Sequence, residues 1–468
     1  MKWGIFLKKN FSSLRKEYPL FSYDGYSIRR EEGGIVLRFD FSVPGLCEFR
    51  PETVIKTDNL KILNHFDSVL AQKIAFSLGM AEAVSYWKCV CAPVISIPCG
   101  FLTDEDLLWW KKLWFNGLGE FFYKNNIETT EDNFVSIKVR ELVADMPALE
   151  KKQSFLSSAL NLIPVGGGKD SCVSLNLLAE MKEKNICFTL NDQPAREETA
   201  AAAGYGPEKI LRTYRTVDSE LLRLNAEGYL NGHTPFSSVL AFLSYYCAYL
   251  TGAENIVLSN EASANEASVA GTDINHQYSK SYAFEADFTA YTSRNFLDEI
   301  HYFSLLRPFN ELQIAKKFAS LQNCHKVFRS CNAGSKANIW CGSCAKCLFV
   351  FLILSPFLSE EYLTEIFGKN MLGDDSLLPE LQALAGVSEN KPFECVGTVE
   401  EVRCAIRMTL EKYEARGREL PVLLRAFDKD IYDGSPQELL AAFNREHGVP
   451  AKFERYVTEM HNAVRGTD

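Results

Sequence analysis

Between residues 23 and 57 apolar and polar positions alternate, as in Ile35-Val-Leu-Arg-Phe-Asp-Phe41, and Gly33-Gly34 and Pro44-Gly45 interrupt the run as turn signals. The pattern predicts a small antiparallel sheet. Helical spacing follows at about 65–84 and about 104–124. Thr103-Asp-Glu-Asp106 opens the second of these, with a hydroxyl placed to cap the helix and acids at the positive end of its dipole. Trp109, Trp110, Trp114, Phe115, Phe121 and Phe122 recur along it and read as core packing.

Around residue 160 the texture changes. The apolar run Leu160-Asn-Leu-Ile-Pro-Val165 predicts a strand, leads into Gly166-Gly-Gly-Lys-Asp-Ser171, and gives way to helical spacing from Cys172 to Lys184. Further strands are expected at Ile186–Leu190 and Asn255–Leu258, with helical stretches between. Strands alternating with helices predict a doubly wound, mostly parallel α/β sheet. Beyond about 365 the chain reads as helices rich in Leu and Glu, a C-terminal extension with no evident role. A chain of 468 residues exceeds one ordinary core. The expected division is an N-terminal α+β domain at 1–150, an α/β domain at 151–365 and a helical region at 366–468.

Composition narrows the class. The densest apolar run, Leu348 to Leu354, is far shorter than the ~20 residues that cross a bilayer, so it predicts a buried helix and no membrane partner. The first residues, Met1 to Leu20, lack a small-residue cleavage site, so the expected compartment is the cytoplasm. The 14 cysteines then read as reduced thiols plus a metal site. A net charge of −10 without a long basic run argues against a general nucleic-acid binder.

Two clusters carry candidate chemistry. Cys331, Cys341, Cys344 and Cys347 form C-x9-C-x2-C-x2-C. Four thiolates close a tetrahedral zinc site. The spacing also suits an iron–sulfur cluster, four free thiols, or a thiol used in acid–base chemistry. The other cluster is Gly166, Gly167, Gly168, Lys169, Asp170 and Ser171, a glycine turn between strand and helix. Backbone N–H groups and the helix dipole there suit a phosphate, and glycines allow its close approach. The spacing is neither G-x-x-x-x-G-K-[ST] nor G-x-G-x-x-G.

This segment resembles the S-G-G-x-D-S signature of the PP-loop ATP pyrophosphatases, with Gly166 in place of the leading Ser. The resemblance implies ATP and Mg²⁺: the loop grips the β,γ-pyrophosphate, Lys169 neutralises phosphate charge and Asp170 helps hold the metal. Some PP-loop enzymes, notably the 7-cyano-7-deazaguanine synthases, carry a similar four-cysteine zinc knot, which makes structural Zn²⁺ the first choice at Cys331, Cys341, Cys344 and Cys347.

Further segments are similar to the UDP-N-acetylmuramoyl-L-alanyl-L-glutamate epimerases of peptidoglycan synthesis, the MurL family. They are Gly117-Leu-Gly-Glu-Phe-Phe-Tyr123, Asn231-Gly-His-Thr-Pro-Phe236, Leu258-Ser-Asn-Glu-Ala-Ser-Ala-Asn-Glu266, Ile274-Asn-His-Gln-Tyr-Ser-Lys-Ser281 with Glu285, and Trp340-Cys-Gly-Ser-Cys-Ala-Lys-Cys347. The likeness runs to about residue 358 and weakens beyond. It implies a UDP-linked muramoyl dipeptide as substrate and epimerisation of its terminal L-Glu through an acyl-adenylate, releasing AMP and diphosphate. The chemistry is coherent. The glutamate nitrogen is in a peptide bond and cannot form an aldimine, and its α-carboxylate resists deprotonation beside it until adenylation removes the charge. Acid and base candidates are His276, Lys280, His233, Glu261 and Glu266, with Tyr278 and Glu285 behind them; Lys280 equally suits substrate binding as a point charge. The alternative reading is a PP-loop tRNA- or nucleobase-modifying enzyme, for which the charge balance offers no RNA surface.

Overall fold

The computed structural model describes residues 9–58, 65–140, 156–266, 275–388 and 391–466. Its strands are β1 (Leu20–Glu31), β2 (Gly34–Val43), β3 (Cys47–Phe49), β4 (Glu52–Lys56), β5 (Val94–Ile97), β6 (Ser136–Val139), β7 (Ser157–Pro164), β8 (Asn185–Leu190), β9 (Ile210–Arg215), β10 (Ala253–Leu258) and β11 (His301–Ser304). They pair in the order β11-β10-β7-β8-β9-β4-β2-β1-β5-β6, with β3 beside β2. The fold is mixed α/β, a large sheet with many helices. β1 pairs in parallel with β5, β5 with β6, and β7 with β10.

The alternation at 23–57 forms antiparallel ladders, with Ile28 opposite Leu37 and Val36 opposite Val54. These strands do not make a sheet of their own, as their pattern alone suggested. β4 pairs antiparallel with β9, Val54 opposite Tyr214, which covers an edge that would otherwise expose unpaired backbone.

The chain divides into two compact units interleaved in sequence. One takes its residues from Met1–Leu162, Leu211–Ile256 and Ala286–His301, the other from Ile163–Ile210, Val257–Glu285 and Tyr302–Asp468. The expected boundary at 150/151 lies outside the described residues, as does Ile274.

In the first unit the helix Val69–Trp87 is buried along most of its length and packs on the helix Phe236–Thr251. Gly79 is needed there, because a Cβ would sit 1.9 Å from the Tyr23 hydroxyl. Thr103 caps the helix Asp104–Gly117 in a reciprocal box with Asp106. The expected aromatic core is present: Trp110 and Phe121 are fully buried and Trp114 nearly so. The helix expected to run on to 124 breaks at Leu118 and resumes as Gly119–Lys124.

In the second unit the strand ending at Pro164 turns into the helix Lys169–Leu177, which continues as a 3₁₀ turn, Ala179–Lys184, instead of a regular helix. The Asn185 side chain donates to the Leu178 carbonyl at 3.1 Å and fixes that change. The apolar run at 348–354 lies in the helix Ala345–Leu354, whose ten residues are all buried at the centre of the core. Among the described residues, no helix is long and apolar enough to cross a membrane. All 14 cysteines are free thiols.

Candidate functional site

The glycine turn and the helix Lys169–Leu177 build the first part of the site. Gly167 has φ +83°, and a Cβ there would meet the backbone of Ala195 and Arg196 at 3.0 Å, so the fold itself requires this glycine. Gly166 and Gly168 are different: an added Cβ would meet only Ser171 Oγ at 3.8 Å or Ser330 Cβ at 3.4 Å. Packing does not demand glycine at either position, which leaves room beside the helix N-terminus. No side chain caps that terminus, and its first-turn N–H groups have no partner within the helix. The Gly166 N–H donates to Ser171 Oγ at 3.0 Å, and the Arg329 N–H donates to the Gly167 carbonyl at 2.7 Å, which holds the loop open.

Lys169 turns inward. Its ammonium is 2% exposed and donates to both Asp170 and Glu311. Burial works against its charge, but Asp170, Glu311 and Glu261 together outweigh burial and hold the ammonium well above its ordinary range. Asp170 keeps 26% of its side chain exposed, so it is the member of this group that reaches the open side.

Glu311 is set by the C-terminal helix Val399–Ala415. The buried Glu401 carboxylate accepts from the Glu311 N–H at 2.8 Å and from the Ser263 hydroxyl at 2.5 Å. Glu401 also closes a capping box with Thr398. Burial pushes its carboxyl up, against the pull of those donors.

The second part of the site is the segment at 275–281. Arg307, fully buried, donates to the Glu261 carbonyl and to the Lys280 carbonyl, each at 2.6 Å, and to the Glu285 carboxylate at 3.2 Å. One guanidinium thus ties together the backbones carrying Glu261 and Lys280. Glu285 also accepts from the Ser304 hydroxyl at 2.6 Å, so this candidate is used in anchoring Arg307. Glu266 pairs with Lys391 and accepts from the Val399 N–H at 3.4 Å. Tyr278 is half-buried, its ring against Phe284. His233 belongs to the first unit, 3.6 Å from Glu120.

Lys280 donates to the sulfur of Cys395 at 3.1 Å. Its ammonium is raised first by the Cys395 thiolate, against burial, and further by Glu261 and Asp170. Burial by itself would push the Cys395 thiol up. Lys280, a hydrogen bond to His276 and Lys346 outweigh burial and bring it down to about 6. Cys395 was not legible as a functional residue. It stands alone in Phe393-Glu-Cys-Val-Gly-Thr398, and the only local signal there is the capping box Thr398-x-x-Glu401.

The four cysteines form a compact knot. Cys331 and Cys344 sulfurs are 3.9 Å apart, Cys341 and Cys347 3.7 Å, and Cys344 and Cys347 3.4 Å. All four lie within 4.8 Å of one another. Zinc–sulfur bonds of about 2.3 Å put tetrahedral sulfurs about 3.8 Å apart, so the knot has the dimensions to hold Zn²⁺. The Gly334 N–H donates to the Cys331 sulfur at 3.2 Å. Cys344 immediately precedes the helix Ala345–Leu354, from whose first turn Lys346 reaches the Cys395 carbonyl.

The MurL N-terminal domain family matches residues 12–305, and the MurL C-terminal domain family matches residues 320–438. The chain belongs to the MurL family. Three MurL-type relatives are each called UDP-N-acetyl-alpha-D-muramoyl-L-alanyl-L-glutamate epimerase. The one from Xanthomonas oryzae pv. oryzae is 33% identical over 392 residues, 81% of this chain and 84% of the relative. That from Micromonospora sp. is 32% identical over 419 residues, covering 87% and 90%. That from Salinispora tropica is 31% identical over 416 residues, covering 87% and 88%. The MurL match does not fade at residue 358, as the sequence segments suggested. It continues to 438 and takes in Cys395 and Glu401.

Proposed function

We propose that this chain is an ATP-dependent epimerase that converts the terminal L-Glu of UDP-N-acetylmuramoyl-L-alanyl-L-glutamate to D-Glu in peptidoglycan precursor synthesis. The observation that carries the reading is a juxtaposition within one unit of a MurL family chain. A glycine turn of PP-loop type and a Lys–Cys–His cluster share the carboxylates Asp170 and Glu261, whose charges act on both Lys169 and Lys280. One part is suited to activating a carboxylate with ATP, the other to moving a proton.

In this reading the substrate α-carboxylate attacks the α-phosphorus of ATP, pyrophosphate leaves, and an acyl-adenylate forms. The helix N-terminus at Gly168–Asp170 and its backbone donors receive the pyrophosphate. Lys169, locked by two carboxylates, fixes Asp170 at the mouth of the loop. Mg²⁺ would supply charge neutralisation at the phosphates, and Asp170, with part of its side chain exposed, is the residue that would hold it. Adenylation removes the negative charge beside Cα, so the proton there becomes accessible to a protein base. Water then releases AMP.

The four-cysteine knot is proposed as a structural zinc site. Its role is to hold the start of the helix Ala345–Leu354 and so the position of Lys346. Elemental analysis of the purified protein should give one zinc per chain, lost in Cys344→Ser together with thermal stability. Metal-free protein of unchanged stability would mean four thiols.

The deciding experiment incubates the protein with ATP, Mg²⁺ and UDP-N-acetylmuramoyl-L-alanyl-L-glutamate. Chiral analysis of released glutamate should show D-Glu, with AMP and pyrophosphate formed alongside. ADP as the main nucleotide would rule out the PP-loop reading. AMP without D-Glu would mean that activation serves another transfer.

A further inference from the structure

A lysine and a histidine converge on the Cys395 sulfur, and a second lysine holds the same residue's carbonyl. Lys280 Nζ is 3.1 Å from Cys395 Sγ, His276 hydrogen-bonds the same sulfur, and Lys346 binds the Cys395 carbonyl. Lys280 and His276 lie on one short segment that Arg307 fastens to the Glu261 backbone. Lys346 comes from the helix that begins at the cysteine knot. Glu394, next in the chain to Cys395, accepts from the Asn332 side chain at 2.9 Å. A structural cysteine in an apolar core needs none of this. Cys187 and Cys247, for comparison, are fully buried, and burial alone pushes both thiols up.

We propose that Cys395 is the proton-transferring residue of the epimerisation, with Lys280 and His276 as its positioning residues. The inference rests on the epimerase reading above. Surrounded by these cations, the sulfur carries negative charge near neutrality, which a reactive cysteine requires. Lys280 and His276 are then not themselves the groups that meet Cα. Lys280 donates to the sulfur and is held too firmly protonated to serve as a base, and His276 is hydrogen-bonded to the same sulfur.

The step balances as follows. The Cys395 thiolate takes the α-proton of the acyl-adenylate, so the Cα–H bond breaks and an S–H bond forms. The electron pair left on Cα spreads onto the adjacent carbonyl oxygen. A proton from water is delivered to the opposite face of Cα, and the thiol then gives its proton to the hydroxide so formed, through water. Hydrolysis of the mixed anhydride by another water gives the D-glutamate carboxylate and AMP.

The test follows two signals from one incubation in D₂O with ATP, Mg²⁺ and the UDP-muramoyl dipeptide: pyrophosphate release and deuterium at Cα. Wild-type protein that gives neither signal would overturn the epimerase reading itself, and this proposal with it. With both present in wild type, Cys395→Ser should still release pyrophosphate measurably but lose exchange by about a hundredfold or more, the usual share of a positioned acid–base group. Exchange in that variant close to wild type would overturn Cys395 while leaving the epimerase reading in place. Should Cys395→Ser fail to fold, Lys280→Met decides. Removing the cation beside the sulfur should move the acidic limb of the exchange profile upward by about 1–3 pH units. An unmoved limb would overturn the pairing.

Discussion

The phosphate-type loop and the Cys395 cluster lie in the same unit and are made in opposite ways. The loop is six consecutive residues shaped largely within the turn, by a positive φ at Gly167 and a hydroxyl at Ser171 that accepts from Gly166, with one outside tie from the Arg329 N–H to the Gly167 carbonyl. The cluster gathers His276, Lys280, Lys346 and Cys395 from three distant segments, and nothing local brings them together. Its geometry depends on buried polar ties, above all Arg307 between Glu261, Lys280 and Glu285. Chemistry built on a turn survives packing changes elsewhere. Chemistry built on convergence is only as precise as the ties that hold it.

That contrast is broken or upheld most sharply at Arg307. Arg307→Ala removes a fully buried cation and strands the buried Glu285 carboxylate, which should cost about 3–5 kcal/mol of stability by chemical denaturation. In the folded fraction, Cα exchange should fall further than pyrophosphate release, since Arg307 holds the Lys280 backbone directly and reaches the loop only through Glu261. Equal loss of both would mean that the two parts are not separately held. The complementary change is Asp170→Ala, on the mouth of the loop. Pyrophosphate release should fall about a hundredfold, comparable to losing one preorganised charge-stabilising group, with little change in melting temperature. Full retention of activity would remove Asp170 from the phosphate or metal role.

The same contrast explains what could be read without the structure. The helix cap at Thr103, the aromatic core around Trp110, the buried run at 348–354 and the strand–turn–helix at 160–177 are all local patterns, and local patterns are what side-chain spacing encodes. The four cysteines were legible as a group because they cluster in sequence, and the structure brings their sulfurs within 4.8 Å of one another. Cys395 was not, because a lone cysteine beside a capping box carries no sign of what packs against it. The residues beyond 365 read as helices of no evident role, yet they place Glu401 behind Glu311 and Cys395 beside Lys280. The joining of the N-terminal strands to β9 was equally invisible, since an antiparallel pattern says which face is buried and not which strand comes next.

A smaller effect, in pH, separates the two parts without any substitution. Burial favours the neutral Cys395 thiol, but Lys280, His276 and Lys346 outweigh it and bring its titration down to about 6. The thiolate is the form that takes a proton, so exchange should be flat above that pH and fall with increasing acidity below it, by about tenfold per unit for a single group. Pyrophosphate release should not follow that limb, because the loop's donors are backbone N–H groups and an ammonium held charged. A common limb for both signals would mean that one titration governs activation and proton transfer alike.

The smallest effect is expected at Glu266, which carries a carboxylate of the right type in the right stretch of chain. Its side chain is 32% exposed and already paired with Lys391, so Glu266→Gln removes a partly screened ion pair worth about 0–1 kcal/mol. The amide keeps an oxygen that can still accept from the Val399 N–H, so the start of the helix Val399–Ala415 should hold. Nothing ties Glu266 to the Cys395 sulfur, and its charge is not among those that raise Lys280 or Lys169. Both the exchange rate and pyrophosphate release should therefore stay within a factor of about three of wild type, the equivalent of less than 1 kcal/mol. A collapse of exchange with pyrophosphate release intact would give Glu266 a share in proton transfer. It would also show that the cluster extends along the segment that follows the strand ending at Leu258.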